Sequence, residues 1–167
     1  MKHIKLNIGC GKHKKDGYIN IDISPKYKPD IVASATHLPF KSNSVDEIYT
    51  SHMVEHVPNF EKAMREMHRI LKPGGKLYIV VPYSAATSAY LPQHMHYFSW
   101  DSFLPFKNGH EHDDYYNFTF RDVKNRLVFE YTNKIISRIA NDHPLLYERT
   151  FLSKLFPAIE LHVEMIK

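Results

Sequence analysis

Leu6–Asp22 reads LNIGCGKHKKDGYINID, and this stretch decides the fold. It opens apolar at Ile4, Leu6 and Ile8, breaks at Gly9-Cys10-Gly11, and resumes with Tyr18, Ile19 and Ile21 before ending in Asp22. The pattern is strand, glycine turn, strand, acid. Glycine lacks a Cβ, so such a turn lets a ligand approach the backbone. An acid at the end of the next strand can accept hydrogen bonds from two neighbouring hydroxyls. Parallel α/β sheets bind ligands at the carboxyl ends of their strands, where both features fall.

Working outward, Lys2 to Ile8 suits a first, central strand. The KHKKDG segment after Gly11 has room for only one or two helical turns, so the first helix is expected to be shortened or missing. ISPKYKPD after Asp22 is rich in turn residues, Ile31 to Ala33 suits a short strand, and Val45 to Thr50 suits another. Asn59 is placed to cap a helix reaching about Leu71, with Phe60, Ala63, Met64, Met67, Ile70 and Leu71 on one face. Pro73-Gly74-Gly75 is expected to stop it, and Lys76 to Pro82 reads as a buried strand. Ser84 to Asn117 is rich in aromatics and histidine, with a short amphipathic helix suggested by Trp100, Phe103, Leu104 and Phe106. Phe118 to Val123 and Arg126 to Tyr131 suggest a hairpin about Lys124-Asn125. Asn133 to Ala140 and Tyr147 to Phe156 suggest helices. The last ten residues, AIELHVEMIK, alternate as a half-buried antiparallel strand. The expectation is one α/β domain over residues 1–167: a Rossmann-like doubly wound sheet with an antiparallel last strand. Its first helix is shortened, and an insertion at 84–117 follows the fifth strand.

Composition narrows the function. Hydrophobic residues make up 43% and charged residues 24%, which suits a globular chain. The excess of four basic over acidic groups is scattered, so no nucleic-acid footprint is expected. The single cysteine excludes an internal disulfide and a multi-cysteine zinc site. No apolar run reaches membrane-spanning length, and no signal-peptide pattern follows Met1, so a cytoplasmic protein is expected.

Four stretches in order carry a resemblance: NIGCG (Asn7 to Gly11), INID (Ile19 to Asp22), LPFKSNSVDEIYTSHMVEHV (Leu38 to Val57) and RILKPGGKLYIVVP (Arg69 to Pro82). Together they resemble the class I S-adenosylmethionine (SAM)-dependent methyltransferases, most closely the small "type 11" group. The resemblance implies SAM as cofactor and S-adenosylhomocysteine as product. It implies that Asn7, Gly9, Cys10 and Gly11 border the methionine end and that Asp22 holds the ribose. Ala35, Thr36, His37 and Leu38 would lie along the adenine, and Ser51 and His52 would border the methionine and the acceptor. The family often carries an acid where Asn7 stands, and many members carry one at the position of Ser34.

Transfer from a sulfonium asks mainly for positioning, which supplies ~7–11 kcal/mol. An oxygen or nitrogen acceptor also needs a base. His52, His94 and His96 are the candidate catalytic groups, with His56, Tyr90 and Tyr97 as further candidates on the acceptor side. His56 also reads as a packing residue. HMHYF (His94 to Phe98) is a candidate lid that excludes water. HEHDD (His110 to Asp114) reads as a solvated acidic turn, because its His spacing fits no zinc motif, and no metal site is expected. Cys10 reads as a small residue in a tight turn.

The leading expectation is therefore methyl transfer to an O or N of a small or medium-sized acceptor, such as a sugar or a glycan- or lipid-linked intermediate. The alternative is a non-catalytic SAM-binding or degenerate module acting through protein partners, with the aromatic insertion as a candidate homodimer surface. An NAD-binding reading is opposed by the absence of the third glycine of GxGxxG.

Overall fold

The computed structural model describes residues 3–130 and 134–167. Seven strands form one sheet: β1 (Lys5–Ile8), β2 (Ile19–Asp22), β3 (Ile31–Val32), β4 (Val45–Ser51), β5 (Leu71–Pro82), β6 (Asp122–Val128) and β7 (Glu160–Ile166). Their order is β3-β2-β1-β4-β5-β7-β6. The first five are parallel, and β7 runs antiparallel between β5 and β6. The glycine turn follows the central strand β1, where strand order reverses, so it sits at the position where open α/β sheets bind ligands.

The helix α1 (Phe60–Ile70) joins β4 to β5. Asn59 starts it by accepting a hydrogen bond from the Lys62 amide at 2.9 Å, and Ala63, Met64, Met67 and Ile70 are buried. They pack with Leu6, Ile8, Ile48, Leu77, Ile79 and Val81 from the sheet. The same core continues into Phe98, Phe103, Phe106 and Phe120, so the aromatic segment after β5 is part of the fold's interior.

Several local expectations change. The helix does not stop at Pro73-Gly74-Gly75. It ends at Ile70, and β5 starts immediately at Leu71, with the glycine pair inside the strand beside an irregularity in its pairing with β4. No hairpin forms about Lys124-Asn125, because both residues lie mid-strand in β6, paired with β7. Continuous pairing with an already ordered neighbour outweighs the local turn preference of Lys-Asn. The Tyr131 and Asn133 ends of two expected elements lie outside the described residues. The expected helix from Tyr147 to Phe156 divides into α3 (Pro144–Arg149) and α4 (Leu152–Leu155), preceded by α2 (Lys134–Asp142). Trp100–Phe106 is a short 3-10 helix capped reciprocally by Ser99 and Ser102.

The shortening of the first helix is complete. Between Gly9 and Tyr18 the chain makes only turns, and between β2 and β3 it makes a single 3-10 turn, Pro25–Tyr27. The sheet face opposite α1 therefore presents half-buried Tyr49, Tyr78, His162 and Glu164 and exposed Arg126 around a shallow hollow. At the free edge, Asn141 of α2 accepts from the Leu127 amide at 2.7 Å and donates to its carbonyl at 3.1 Å. This covers backbone groups that would otherwise invite another strand.

Candidate functional site

The glycine turn is built by backbone hydrogen bonds. Gly9 and Cys10 amides both donate to the Ile21 carbonyl, at 2.8 and 3.0 Å. The Gly11 amide donates to Asp22 Oδ2 at 2.8 Å, and the Ser24 amide donates to Oδ1 at 2.8 Å. Asp22 is thus oriented by one donor on each oxygen, and each oxygen keeps a further lone pair. Asn7 donates to the His13 carbonyl (3.0 Å) and to Asn20 Oδ1 (2.9 Å). A carboxylate in its place would lack the amide donor, so Asn7 braces the turn that replaces the first helix.

The two glycines differ. Both have positive φ, +72° at Gly9 and +47° at Gly11. A Cβ on Gly9 would fall 2.6 Å from Met53 Cβ and closer still to Met53 Cγ, whereas a Cβ on Gly11 would meet nothing within 4 Å. Gly9 admits an internal side chain, and Gly11 faces open space.

Two hollows flank the Gly9–Met53 contact. A polar cavity of about 700 Å³ is lined by Asn7, Gly9, Cys10, Gly11, Ser51, His52 and Glu160, together with His13, Lys14, Lys15 and Tyr49. A more apolar slot of about 340 Å³ is lined by Ile23, Ser34, Ala35, Thr36, Met53 and the segment from His56 to Asn59. Asp22 lies between their linings: Gly11, its hydrogen-bond partner, belongs to the cavity, and Ile23, its chain neighbour, belongs to the slot. Ile23 is 71% exposed, an apolar side chain with no protein surface to cover it.

His52 directly follows the fourth strand with φ +49°, a backbone conformation that non-glycine residues seldom adopt. Its Nε2 donates to Glu160 Oε1 at 2.9 Å, and its Nδ1 stands 3.5 Å from Glu55 Oε1. The Glu55 carboxylate and then Glu160 raise the pKa of His52 above the ordinary histidine value, against the opposing effect of burial. Glu160 also accepts from His162 Nε2 at 2.8 Å. Burial would raise its pKa, but these two imidazoles hold it below the usual carboxylate range.

Of the three candidate catalytic histidines, only His52 reaches the cavity. His94 is buried, with Nδ1 donating to the Ala89 carbonyl at 3.0 Å. His96 donates through Nε2 to the Val57 carbonyl at 2.8 Å and packs on Phe60. Tyr90 and Tyr97 stack on each other in solvent. Cys10 is buried, and burial, then Asp22, push its thiol pKa up, so it is held as an unreactive thiol. Among residues 35–38, Ala35 and Thr36 line the slot. His37 is engaged by Lys62 Nζ, and Leu38 is buried with its amide and carbonyl bound to Glu66 and Arg69. His110 and His112 lie on an exposed turn with Glu111.

Sequence reasoning missed Ile23, Met53 and Glu160. Ile23 had a signal, since it directly follows the acid that ends β2. Glu160 had none, because it arrives from 108 residues beyond His52.

Residues 6–79 match the family described as "Methyltransferase domain". Over the whole chain the fold is similar to a SAM-dependent methyltransferase from Archaeoglobus fulgidus, with a TM-score of 0.68 at 19% identity, covering 99% of this chain and 86% of that one. The first half of the chain thus carries the methyltransferase-domain match, and the whole chain has the fold of SAM-dependent methyltransferases. Curated relatives include the sterol 4-C-methyltransferase strm-1 of Caenorhabditis elegans, 34% identical over 37% of this chain and 18% of that protein. Another is the ubiquinone/menaquinone biosynthesis C-methyltransferase of Rickettsia felis, 36% identical over 44% of this chain and 29% of that protein. The chain spans less than a third of the length of these relatives within the matched region. Among the described residues, no helix is long and apolar enough to cross a membrane.

Proposed function

We propose that this protein binds SAM across the two hollows and moves its methyl group to a small or medium-sized acceptor in the polar cavity. The observation that carries the reading is the position of Asp22, oriented by the Gly11 and Ser24 amides between an apolar slot and an open glycine. The donor set fits the cofactor. Asp22 has free lone pairs for ribose hydroxyls, Ile23, Ala35 and Met53 offer apolar surface to adenine, and Gly11 leaves its backbone open on the polar cavity. When bound, SAM supplies a methyl group already activated by its sulfonium.

The remaining work is positioning. His52 and Glu160 form the cavity wall beyond the glycine turn and hold the acceptor's hydroxyl or amine by hydrogen bonds. Tyr49 and Ser51 border the same space. Glu160, kept ionised by His52 and His162, takes the proton as the acceptor atom gains its methyl. The relatives' names concern carbon methylation of sterols and quinones. A polar wall with an ionised carboxylate favours an O or N acceptor here, a sugar or another polar metabolite. His94 and His96 bond to the Ala89 and Val57 carbonyls and do not line the acceptor's cavity.

Calorimetric titration with SAM and with S-adenosylhomocysteine tests the cofactor site. Micromolar binding is expected, lost in Asp22→Ala. His52→Ala should keep that binding and lose turnover in an acceptor screen. Absence of binding near millimolar ligand would favour instead a module acting through protein partners.

A further inference from the structure

Glu55 is fully buried, and neither of its carboxylate oxygens has a hydrogen-bond partner among the described residues. Its nearest cationic group is His52 Nδ1, 3.5 Å away. That ion pair engages only Oε1, and a buried carboxylate left short of hydrogen bonds on both oxygens is strongly unfavourable. Two more potential ligands converge on it. Glu55, His56 and His94 each present one ligand atom, and these atoms lie within 4.8 Å of one another.

The histidines are set for ligation. His56 Nδ1 donates to the Gln93 carbonyl at 3.1 Å, and His94 Nδ1 donates to the Ala89 carbonyl at 3.0 Å. Each bond fixes the tautomer in which Nε2 carries the free lone pair. Metal-bound histidines are held in this way by their other ring nitrogen. The rings meet edge to face with centroids 4.7 Å apart. The segment that carries His94 is itself tied to Glu55, because the Met95 amide donates to the Glu55 carbonyl at 2.8 Å.

We infer that Glu55, His56 and His94 form a site for one divalent first-row transition metal ion. Two imidazoles and one carboxylate suit zinc, manganese, iron or cobalt rather than calcium or magnesium, which prefer all-oxygen sets. Three protein ligands leave at least one coordination position free, and His56, the exposed member, opens it toward solvent. Sequence spacing alone does not reveal this set. Glu55 and His56 are adjacent, but the third ligand comes from the segment after β5, 38 residues beyond His56.

Equilibrium dialysis of the full chain against Zn²⁺, Mn²⁺ and Co²⁺, followed by metal analysis, tests the site without any cofactor or acceptor. The wild type should retain one ion per chain. Glu55→Gln and His94→Ala should bind roughly tenfold more weakly or worse. His56→Ala, altering an exposed residue, guards against misfolding of the buried variants: Zn²⁺ should raise the melting temperature of the wild type and leave that of His56→Ala unchanged. The paired variant His110→Ala/His112→Ala should bind like the wild type. The inference is overturned if the wild type retains no ion, if the three site variants retain it undiminished, or if the His110/His112 variant loses it. SAM titration is read separately, so failure of the metal site and failure of the methyltransferase reading are distinguishable.

Discussion

Replacing each glycine of the turn with alanine should separate packing from ligand approach. At Gly9 two penalties combine. Its φ of +72° disfavours any side chain, by about 1–2 kcal/mol. The new Cβ also falls 2.6 Å from Met53 Cβ, an atom that cannot swing away as a chain end can. Overpacking of this kind adds about 1–3 kcal/mol. Gly9→Ala should therefore destabilise the fold by about 2–5 kcal/mol, a fall in melting temperature of roughly 5–15 °C for a chain of this size. Gly11→Ala carries the conformational penalty alone, since its Cβ enters open space. It should melt only a few degrees low, yet lose SAM affinity because the added methyl group stands in the cavity that Gly11 lines. Gly9→Ala/Met53→Ala should recover part of the lost stability, and only part, because alanine keeps the Met53 Cβ. Thermal denaturation of the wild type, these three variants and Met53→Ala, with SAM titration of Gly11→Ala, is the assay. Equal melting temperatures for Gly9→Ala and Gly11→Ala, or no coupling to Met53→Ala, would refute the reasoning.

Three further outcomes are expected. Burial, aided by Lys167 and opposed by the hydrogen bond to Thr119, pushes the pKa of His68 down to about 4. The unfolded chain then binds this proton near pH 6.5 and the folded chain does not, so stability is full above that range and falls as pH drops toward 4. The loss is at most about 3.5 kcal/mol at ~1.4 kcal/mol per pH unit, less for the part of the ring that water reaches. Denaturant melts of wild type and His68→Phe across that range should show a shallower pH slope in the variant. Arg69 grips Glu66 through Nε and Nη2 at 2.8 and 2.9 Å and also donates to the Phe40 and Leu38 carbonyls. Lysine has no such fork, so Arg69→Lys should cost about 1–3 kcal/mol and weaken SAM binding through the neighbouring slot, as urea melts and calorimetry would reveal. Asn141→Ala leaves the Leu127 amide and carbonyl without their partner and should cost about 1–3 kcal/mol, with increased self-association by light scattering.

Much of the fold was legible in the sequence because it rests on local signals. The apolar runs, the glycine turn, the Asn59 cap and the alternation of the last strand are set by residues within a few positions of each other. They gave the parallel sheet, its antiparallel closing strand and the acid at the end of β2. Where two local signals competed, tertiary pairing decided. Lys124-Asn125 looked like a turn and lies mid-strand because β7 was there to pair with it. Leu38, expected along the adenine, is buried with its amide and carbonyl bound by Glu66 and Arg69, partners 28 and 31 residues away.

The chain itself determined the class of the cofactor half, since four short motifs in order need only their own residues. Tertiary structure alone decided which histidine faces the cavity. His52, His94 and His96 are indistinguishable as residues, and their roles separate only when Glu160 arrives beside the first, Ala89 beneath the second and Val57 against the third. The same holds for Glu55. Its sequence neighbours say nothing of its burial beneath the segment that carries Met95, whose amide bonds the Glu55 carbonyl and which places His94 beside a carboxylate with no hydrogen-bond partner among the described residues.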